Sequence, residues 1–254
     1  MKTRQRWAAA VLAGGLLLGS TACGGGGDDG KKDSGSDAVD QKAIDEFAAQ
    51  SATEIKDQVV ADMKELDSLT MSAKITSNGE DIQLDLSMDT TGQCEGSMQL
   101  QGGTADLMSV DGDVYIKGDE AFWTATAGEQ AETVLAVLDD RWAKQAGTGG
   151  FGSFCDLDSL LSSFEDDEGS DAEEAKDPTV GDVVEYDGQQ ALQLVTEQDS
   201  GTTTVWVAAE GAHYILRMEN VGETEPGTIT MTDFNEPLEV EAPAEDDYID
   251  LSSL

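Results

Sequence analysis

Alternation of apolar and polar residues along short stretches is the feature that most restricts how this 254-residue chain can fold. The segment Ile82–Met88 (IQLDLSM) places every second side chain on one face, which is the period of a half-buried β-strand. Asn78-Gly79, directly before it, is a strong hairpin signal. Similar stretches form two groups of five, which predicts two antiparallel meanders with one apolar and one polar face. The predicted strands are Met71–Thr76, Ile82–Met88, Cys94–Gln101, Ala105–Val110 and Val114–Lys117, then Val180–Tyr186, Ala191–Thr196, Thr203–Ala208, Tyr214–Glu219 and Thr228–Phe234.

Apolar residues at helical spacing lie before the first meander and between the two meanders. Apolar residues three and four apart predict one long amphipathic helix over Asp37–Leu69. The same spacing predicts short central helices near Ala131–Leu138 and Leu157–Phe164. Glu165–Asp177 is too acidic to pack and is expected to be a loop. The predicted fold class is therefore α+β: a strongly curved antiparallel sheet of about ten strands that covers its apolar face with helices or a ligand.

The first residues have the layout of an export signal. Lys2, Arg4 and Arg6 precede an apolar run, Trp7–Leu18, that is too short for a stable membrane span. Ser20-Thr21-Ala22-Cys23 then resembles the lipobox of bacterial lipoproteins. The resemblance implies a signal peptide over residues 1–22 and a diacylglyceryl group on Cys23. Ordinary secretion, with Cys23 an incidental thiol, is the alternative.

The cysteine count agrees with a lipoprotein. If Cys23 is lipidated, Cys94 and Cys155 remain as an even pair in an oxidising compartment, where a disulfide is expected. Two free buried thiols are the alternative. Residues 23–36 are rich in Gly, Asp and Ser and read as a flexible tether between the anchor and a folded body.

Charge excludes several functions. The chain has 14 Lys and Arg against 53 Asp and Glu, a net charge of −39. That balance argues against binding nucleic acid, because such affinity rests on basic residues that neutralise phosphates. His213 is the only histidine and reads as a surface residue at the start of a strand, so no base, nucleophile and orienting group can be assembled around it. We expect no enzymatic activity, no cofactor and no metal site.

Several short motifs carry a resemblance to a known family. They are Ser68–Ser72, Asp111–Lys117, Phe122-Trp123, Phe154–Leu157, Val205–Val207, Tyr214–Arg217, Thr232–Pro237 and Ala242-Pro243. Together they resemble the LolA/LolB-like lipoprotein carriers, and more closely the actinobacterial lipoproteins of the LppX/LprG type. The resemblance covers most of residues 37–240 and implies a half-open β-barrel wrapped around helices, with a hydrophobic cavity for acyl chains. It carries over no catalytic residue. Residues 241–254 form an acidic tail with room for one short strand.

These observations favour a lipoprotein anchored on the extracytoplasmic face of the cell membrane, expected to be a monomer. It would bind, carry or present a lipid or glycolipid. A sheet face of Leu, Ile, Val and Met can form an apolar slot for such a ligand, or its side chains can fill a core with the helices. The alternative function is therefore a ligand-free interaction or sensing lipoprotein that acts through its acidic surface.

Overall fold

The computed structural model describes residues 40–77, 79–147, 150–164, 177–222 and 225–251. The unit Val39–Leu254 is compact by itself and contains every buried residue of the described ranges. Its strands form one twelve-stranded sheet in the order β12-β6-β5-β4-β3-β2-β1-β11-β10-β9-β8-β7. The strands are β1 Ser68–Ser77, β2 Glu80–Asp89, β3 Cys94–Leu100, β4 Gly103–Val110, β5 Asp113–Gly118, β6 Trp142–Ala146, β7 Thr179–Tyr186, β8 Gln189–Gln198, β9 Gly201–Ala208, β10 Ile215–Gly222, β11 Gly227–Thr232 and β12 Tyr248–Asp250. The helices are α1 Gln41–Ala48, α2 Ala52–Met63, α3 Glu120–Ala127, α4 Ala131–Leu138 and α5 Leu157–Ser163, with short 3₁₀ helices at Gly128–Gln130, Gly150–Cys155 and Glu245–Asp247.

The predicted α+β class is confirmed, and the large curved sheet is not closed into a barrel. The two meanders join because β1 pairs with β11 as well as with β2. The predicted ten strands are present, although Asn78 of the first hairpin turn lies outside the described residues. The two additional strands are β6 and β12, which pair in parallel at one edge of the sheet. β12 lies in the acidic C-terminal segment, where one short strand was expected.

The prediction of one helix over Asp37–Leu69 is wrong. The structure has α1 and α2, separated at Ala49–Ser51, and the first strand begins already at Ser68. Ser51 begins α2 with a capping box: its hydroxyl oxygen accepts a hydrogen bond from the Glu54 amide, and the Glu54 carboxylate accepts one from the Ser51 amide. These bonds satisfy amides that a continuous helix would pair differently, so a new helix starts here.

The helix α3 was not predicted from the sequence. Asp119 caps it by accepting a hydrogen bond from the Phe122 amide, 2.7 Å away. Phe122 is fully buried against β4 and β5, where Gly103 and Gly118 leave room for it. A Cβ at either glycine would overlap Phe122, so the absence of side chains at these two positions allows the helix to lie directly on the sheet.

The main core lies between the inner, apolar face of the sheet and the helices. α1 and α2 supply Ile44, Phe47, Ile55, Val59 and Met63 to it. The other helices supply Phe122, Trp123, Leu138, Leu157 and Leu161. The outer face is polar apart from two small clusters, one of which packs the C-terminal segment onto the sheet through Val240 and Tyr248.

Candidate functional site

A row of five apolar side chains, four of them half-buried, crosses the inner face of the second meander. Val180 pairs with Leu194, Leu194 with Val205, Val205 with Met218, and Met218 with Ile229, so the five side chains lie side by side on β7 to β11. Leu194 is 7% exposed, and the other four are partly exposed. We call these five residues the apolar strip. It is a sheet face without complete cover, which is where an apolar ligand could bind.

The two rows of side chains that flank the apolar strip differ from it: one is more buried, and the other is more polar. On one side, Leu192 and Val207 are fully buried under the helices, and Met231 is 2% exposed. On the other side, nearer the ends of the hairpins, the paired residues Thr196, Thr203 and Asn220 present hydroxyl and amide groups. The strip is therefore one apolar side chain wide, bounded by packed core and by uncharged polar groups.

The same row continues into the first meander, but there it is sealed. Ile229 pairs with Ala73, which is followed across the sheet by Leu84, Met98 and Ala105. These four residues are only 3%, 6%, 4% and 1% exposed. α3 packs over β3, β4 and β5 and closes this half of the inner face. Only the second meander therefore presents the open strip.

A groove of about 490 Å³ lies next to the strip residue Ile229, at the hairpin ends where β1 and β10 finish and β2 and β11 begin. Ile75 and Ile82 contribute its apolar part, and both are partly buried against the main core. Lys74, Asp81 and Glu219 contribute charges of both signs. The groove thus joins the apolar inner face to the polar rim of the sheet.

The helices α1 and α2 are fixed at the opposite, covered end of the second meander by His213. Its ring stacks on Phe47 with centroids 3.7 Å apart and planes 4° from parallel. Its backbone amide donates to the Asp62 carboxylate at 2.7 Å, and its Nδ1 lies 2.9 Å from the Ala208 carbonyl oxygen. His213 was expected to be a surface residue, but it is partly buried because its ring packs on Phe47 of α1. The histidine is a packing residue, and no pattern in the sequence links it to Phe47.

Negative charge surrounds the open half of the sheet. Residues 177–232 include ten Asp and Glu but a single Lys or Arg, Arg217. Arg217 lies on the outer face, where it stacks over Trp206 with its guanidinium 5.3 Å from the ring centroid. Its Nη2 is also 3.2 Å from a Glu219 carboxylate oxygen. It is therefore paired on the face opposite to the strip, so no base of this segment lies beside the strip.

Cys94 and Cys155 form a disulfide, with their Cα atoms 5.4 Å apart. The bond joins β3 to the start of α5, and both residues are buried in the main core. It therefore fastens α5 to the sealed half of the sheet. Cys23, the expected lipidation site, lies outside the described residues.

A second ion pair on the outer face joins β5 and β6. Lys144 on β6 donates to Asp113 on β5 at 2.7 Å, and this bond raises the pKa of Lys144. Its ammonium lies 5.9 Å from the Tyr115 ring centroid and 5.4 Å from that of Tyr248, so it also holds the C-terminal strand. Burial raises the pKa of Tyr115, an effect that the positive charge of Lys144 opposes. We assign this cluster a structural role.

Two kinds of feature are absent from the described residues. No group of three or more His, Cys, Asp or Glu within them is placed to hold a metal ion. None of the helices in the same ranges is long and apolar enough to cross a membrane. The acidic run Glu165–Asp177 lies outside the described residues except for Asp177.

Comparison with known proteins defines the fold. The sequence matches no protein-family model and no curated protein. The structure is similar to that of LprF from Mycobacterium bovis, with a TM-score of 0.53, 12% identity, and coverage of 76% of this chain and 97% of LprF. It also matches the Mycobacterium tuberculosis lipoprotein LppX, with a TM-score of 0.48, 14% identity, and coverage of 80% of this chain and 100% of LppX. The chain therefore has the fold of LprF, and the resemblance to the LppX/LprG type is confirmed at the level of the fold.

Proposed function

We propose that this chain is an extracytoplasmic lipoprotein, anchored to the cell membrane through Cys23, that binds a lipid-type ligand and carries or presents it in the cell envelope. The observation that carries the proposal is the apolar strip, a partly exposed row on the inner face of a sheet with the fold of LprF. Apolar surface that stays accessible in a folded chain with a net charge of −39 costs stability, so a ligand that covers it is the physical reason to keep it.

The proposed organisation follows the sequence. Residues 1–22 would be removed as a signal peptide, residues 23–36 would tether the body, and residues 37–240 would bind the ligand. Two acyl chains on Cys23 would give firm anchoring where one would be marginal. Changing Cys23→Ala should move the protein from the membrane fraction to the soluble fraction of an actinobacterial host. Retention in the membrane fraction would contradict the anchor.

Native mass spectrometry tests ligand binding directly. The compact unit Val39–Leu254 would be purified from an actinobacterial host without detergent, and its mass compared before and after solvent extraction. We expect one extractable lipid per chain. Protein that purifies without lipid, and that takes up no phospholipid or glycolipid when these are added, would contradict the proposal. A ligand-free interaction lipoprotein that acts through its acidic surface would then be the better description.

The alternation of β9 offers a matched pair of variants. Val205 lies in the apolar strip, whereas its neighbour Thr204 pairs with Glu219 and faces the other side of the sheet. Val205→Asn should therefore lose most of the copurifying lipid, while Thr204→Asn should keep it. If both variants retain the lipid equally, the ligand does not lie on the strip.

A further inference from the structure

We infer that the apolar strip selects a lipid with a single acyl chain and an uncharged, hydrogen-bonding head, and that it discriminates against anionic lipids and against lipids with two chains. This inference rests on the proposed function and narrows the class of ligand. It follows from three properties of the inner face: the width of the strip, its length, and the kind of polar group beside it.

The width of the strip admits one chain. Residues two apart on a strand, which share a face, are separated by about 6.8 Å, and packed hydrocarbon atoms lie about 4 Å apart. The neighbouring row on the core side, with Leu192 and Val207, is fully buried and cannot take a second chain. The neighbouring row on the rim side is Thr196, Thr203 and Asn220, polar side chains to which the hydrocarbon of a second chain would offer no hydrogen bond.

The length of the strip suits a whole acyl chain. Its five residues lie on five adjacent strands, so four interstrand spacings of about 4.8 Å give roughly 19 Å. One leaflet of a bilayer has a hydrocarbon thickness of roughly 15 Å, which is the reach of one acyl chain of a common lipid. A chain of that length can lie across β7 to β11 without leaving the strip.

The groups beside the strip favour an uncharged head. Thr196 and Thr203 bring hydroxyl groups, and Asn220 brings an amide whose Nδ2 donates to the Glu225 carbonyl oxygen at 3.0 Å. A carboxylate or phosphate head would find no basic partner on the inner face of the second meander, because Arg217 is on the outer face and paired with Glu219. Lys74, which lines the neighbouring groove, pairs with Thr228 in the same outer-face row as Glu219. Ten acidic residues in the same segment would repel it. Hydroxyl-bearing heads, such as glycerol, meet no such penalty.

The chain itself offers no alternative occupant of suitable chemistry next to β7. Residues 165–176, which directly precede that region, include seven acidic residues and one lysine. Ionised carboxylates are costly to bury against an apolar surface. The apolar strip is therefore better matched by an external acyl chain than by this segment.

A competition for lipid capture tests the inference. Val39–Leu254 would be stripped of lipid and incubated at neutral pH with phosphatidylcholine vesicles that contain equal amounts of 1-monopalmitoylglycerol, palmitate and 1,2-dipalmitoylglycerol. The protein would then be separated, and its adducts identified by native mass spectrometry. We expect capture of one monopalmitoylglycerol per chain, with about tenfold less palmitate, because the charged head lacks a partner. We expect little dipalmitoylglycerol or phosphatidylcholine.

Two variants test where the polar head of the lipid binds. Thr203→Lys places a base beside the strip and should lower the ratio of monopalmitoylglycerol to palmitate about tenfold. Thr204→Lys adds the same charge on the outer face and should leave the ratio unchanged. Equal effects of the two variants would contradict the assignment of the head to the Thr203 row.

The outcomes separate the inference from the proposed function. Capture of palmitate, phosphatidylcholine or dipalmitoylglycerol at least as well as monopalmitoylglycerol would overturn the inference but keep the lipid-binding function. Capture of no lipid at all, from vesicles or from the host, would overturn both.

Discussion

Both meanders alternate apolar and polar residues, yet their inner faces end in different states. In the first, the row Ala73, Leu84, Met98 and Ala105 is sealed. In the second, the continuation of the same row is the partly exposed apolar strip. The difference lies in what the connections supply. The segment after β5 returns as α3, α4 and α5 over the first meander, whereas the second meander receives α1 and α2 at one end only.

This comparison teaches that the periodicity of a strand specifies which face is apolar but not whether that face is filled. Gly103 and Gly118 let α3 approach the first meander closely, and the disulfide holds α5 there. In the described part of the second meander, Val180, Val205, Met218 and Ile229 of the strip pack against the main core but stay partly exposed. The same alternating pattern therefore gives packed core in the first meander and the candidate site in the second.

Truncation of a large side chain in each half is the strongest test of this difference. Phe122→Ala removes a fully buried ring from the sealed half and should lower the free energy of unfolding by about 4 kcal/mol. Met218→Ala removes a partly exposed side chain from the strip and should cost about 1 kcal/mol. Chemical denaturation of lipid-free Val39–Leu254 measures both. Equal losses would mean that the strip is packed as tightly as the core.

Removal of the disulfide tests the attachment of α5 to the sealed half. Cys94→Ala with Cys155→Ala opens a loop between residues 61 positions apart and should cost about 3 kcal/mol. Because the bond is remote from the strip in the register of the sheet, lipid capture measured below the unfolding transition should stay at the wild-type level. A loss of capture in folded protein would show that the two halves are coupled.

The contact of His213 with α1 and α2 gives the next test, for which a smaller loss of stability is expected. His213→Ala removes the stacked ring from Phe47 but leaves the backbone amide bonded to Asp62, and should cost about 1 kcal/mol. Ala212→Ser, a neighbouring change at an exposed position, is the control and should have no measurable effect. Thermal unfolding followed by circular dichroism measures the difference. A silent His213→Ala variant would mean that α1 is held by its apolar residues alone.

The parts of the fold that could be predicted are those with local causes. Alternation and turn signals located ten strands, and helical spacing located α4 and α5. The break at Ser51 also had a local signal, the Ser51 and Glu54 capping box, which the long apolar stripe over Asp37–Leu69 outweighed. The missed helix α3 is short, and its position depends on glycines of β4 and β5 that are distant in sequence. β12 depends on parallel pairing with β6, which has no local signature.

The candidate site was predictable only in its composition. An apolar inner face of Leu, Ile, Val and Met was expected, and the strip consists of these residue types. Which of its residues stay exposed depends on the pairing of β1 with β11 and on where the helices lie. Both depend on contacts between residues that are far apart in the sequence, and neither produces a periodic pattern of apolar residues. The same limit explains why the contact between His213 and Phe47 was not foreseen.

The smallest expected effect is on stability at low pH, and it comes from Glu54 in the capping box of α2. Hydrogen bonds from Ser51 lower the pKa of Glu54 below its ordinary value of 4.5. A lowered pKa means that the ionised carboxylate stabilises the folded state, and this contribution is present above pH 4.5 and lost as the pH falls through the lowered pKa. Glu54→Gln lacks the charge at every pH, so it should unfold at a slightly lower temperature than the wild type at pH 7, and the difference should shrink as the pH falls below 4.5 and through the lowered pKa. Because both proteins share all other carboxylates, those contributions cancel in the comparison. A difference that stays constant as the pH falls would mean that Glu54 acts on α2 through packing or hydrogen bonding alone and not through its charge.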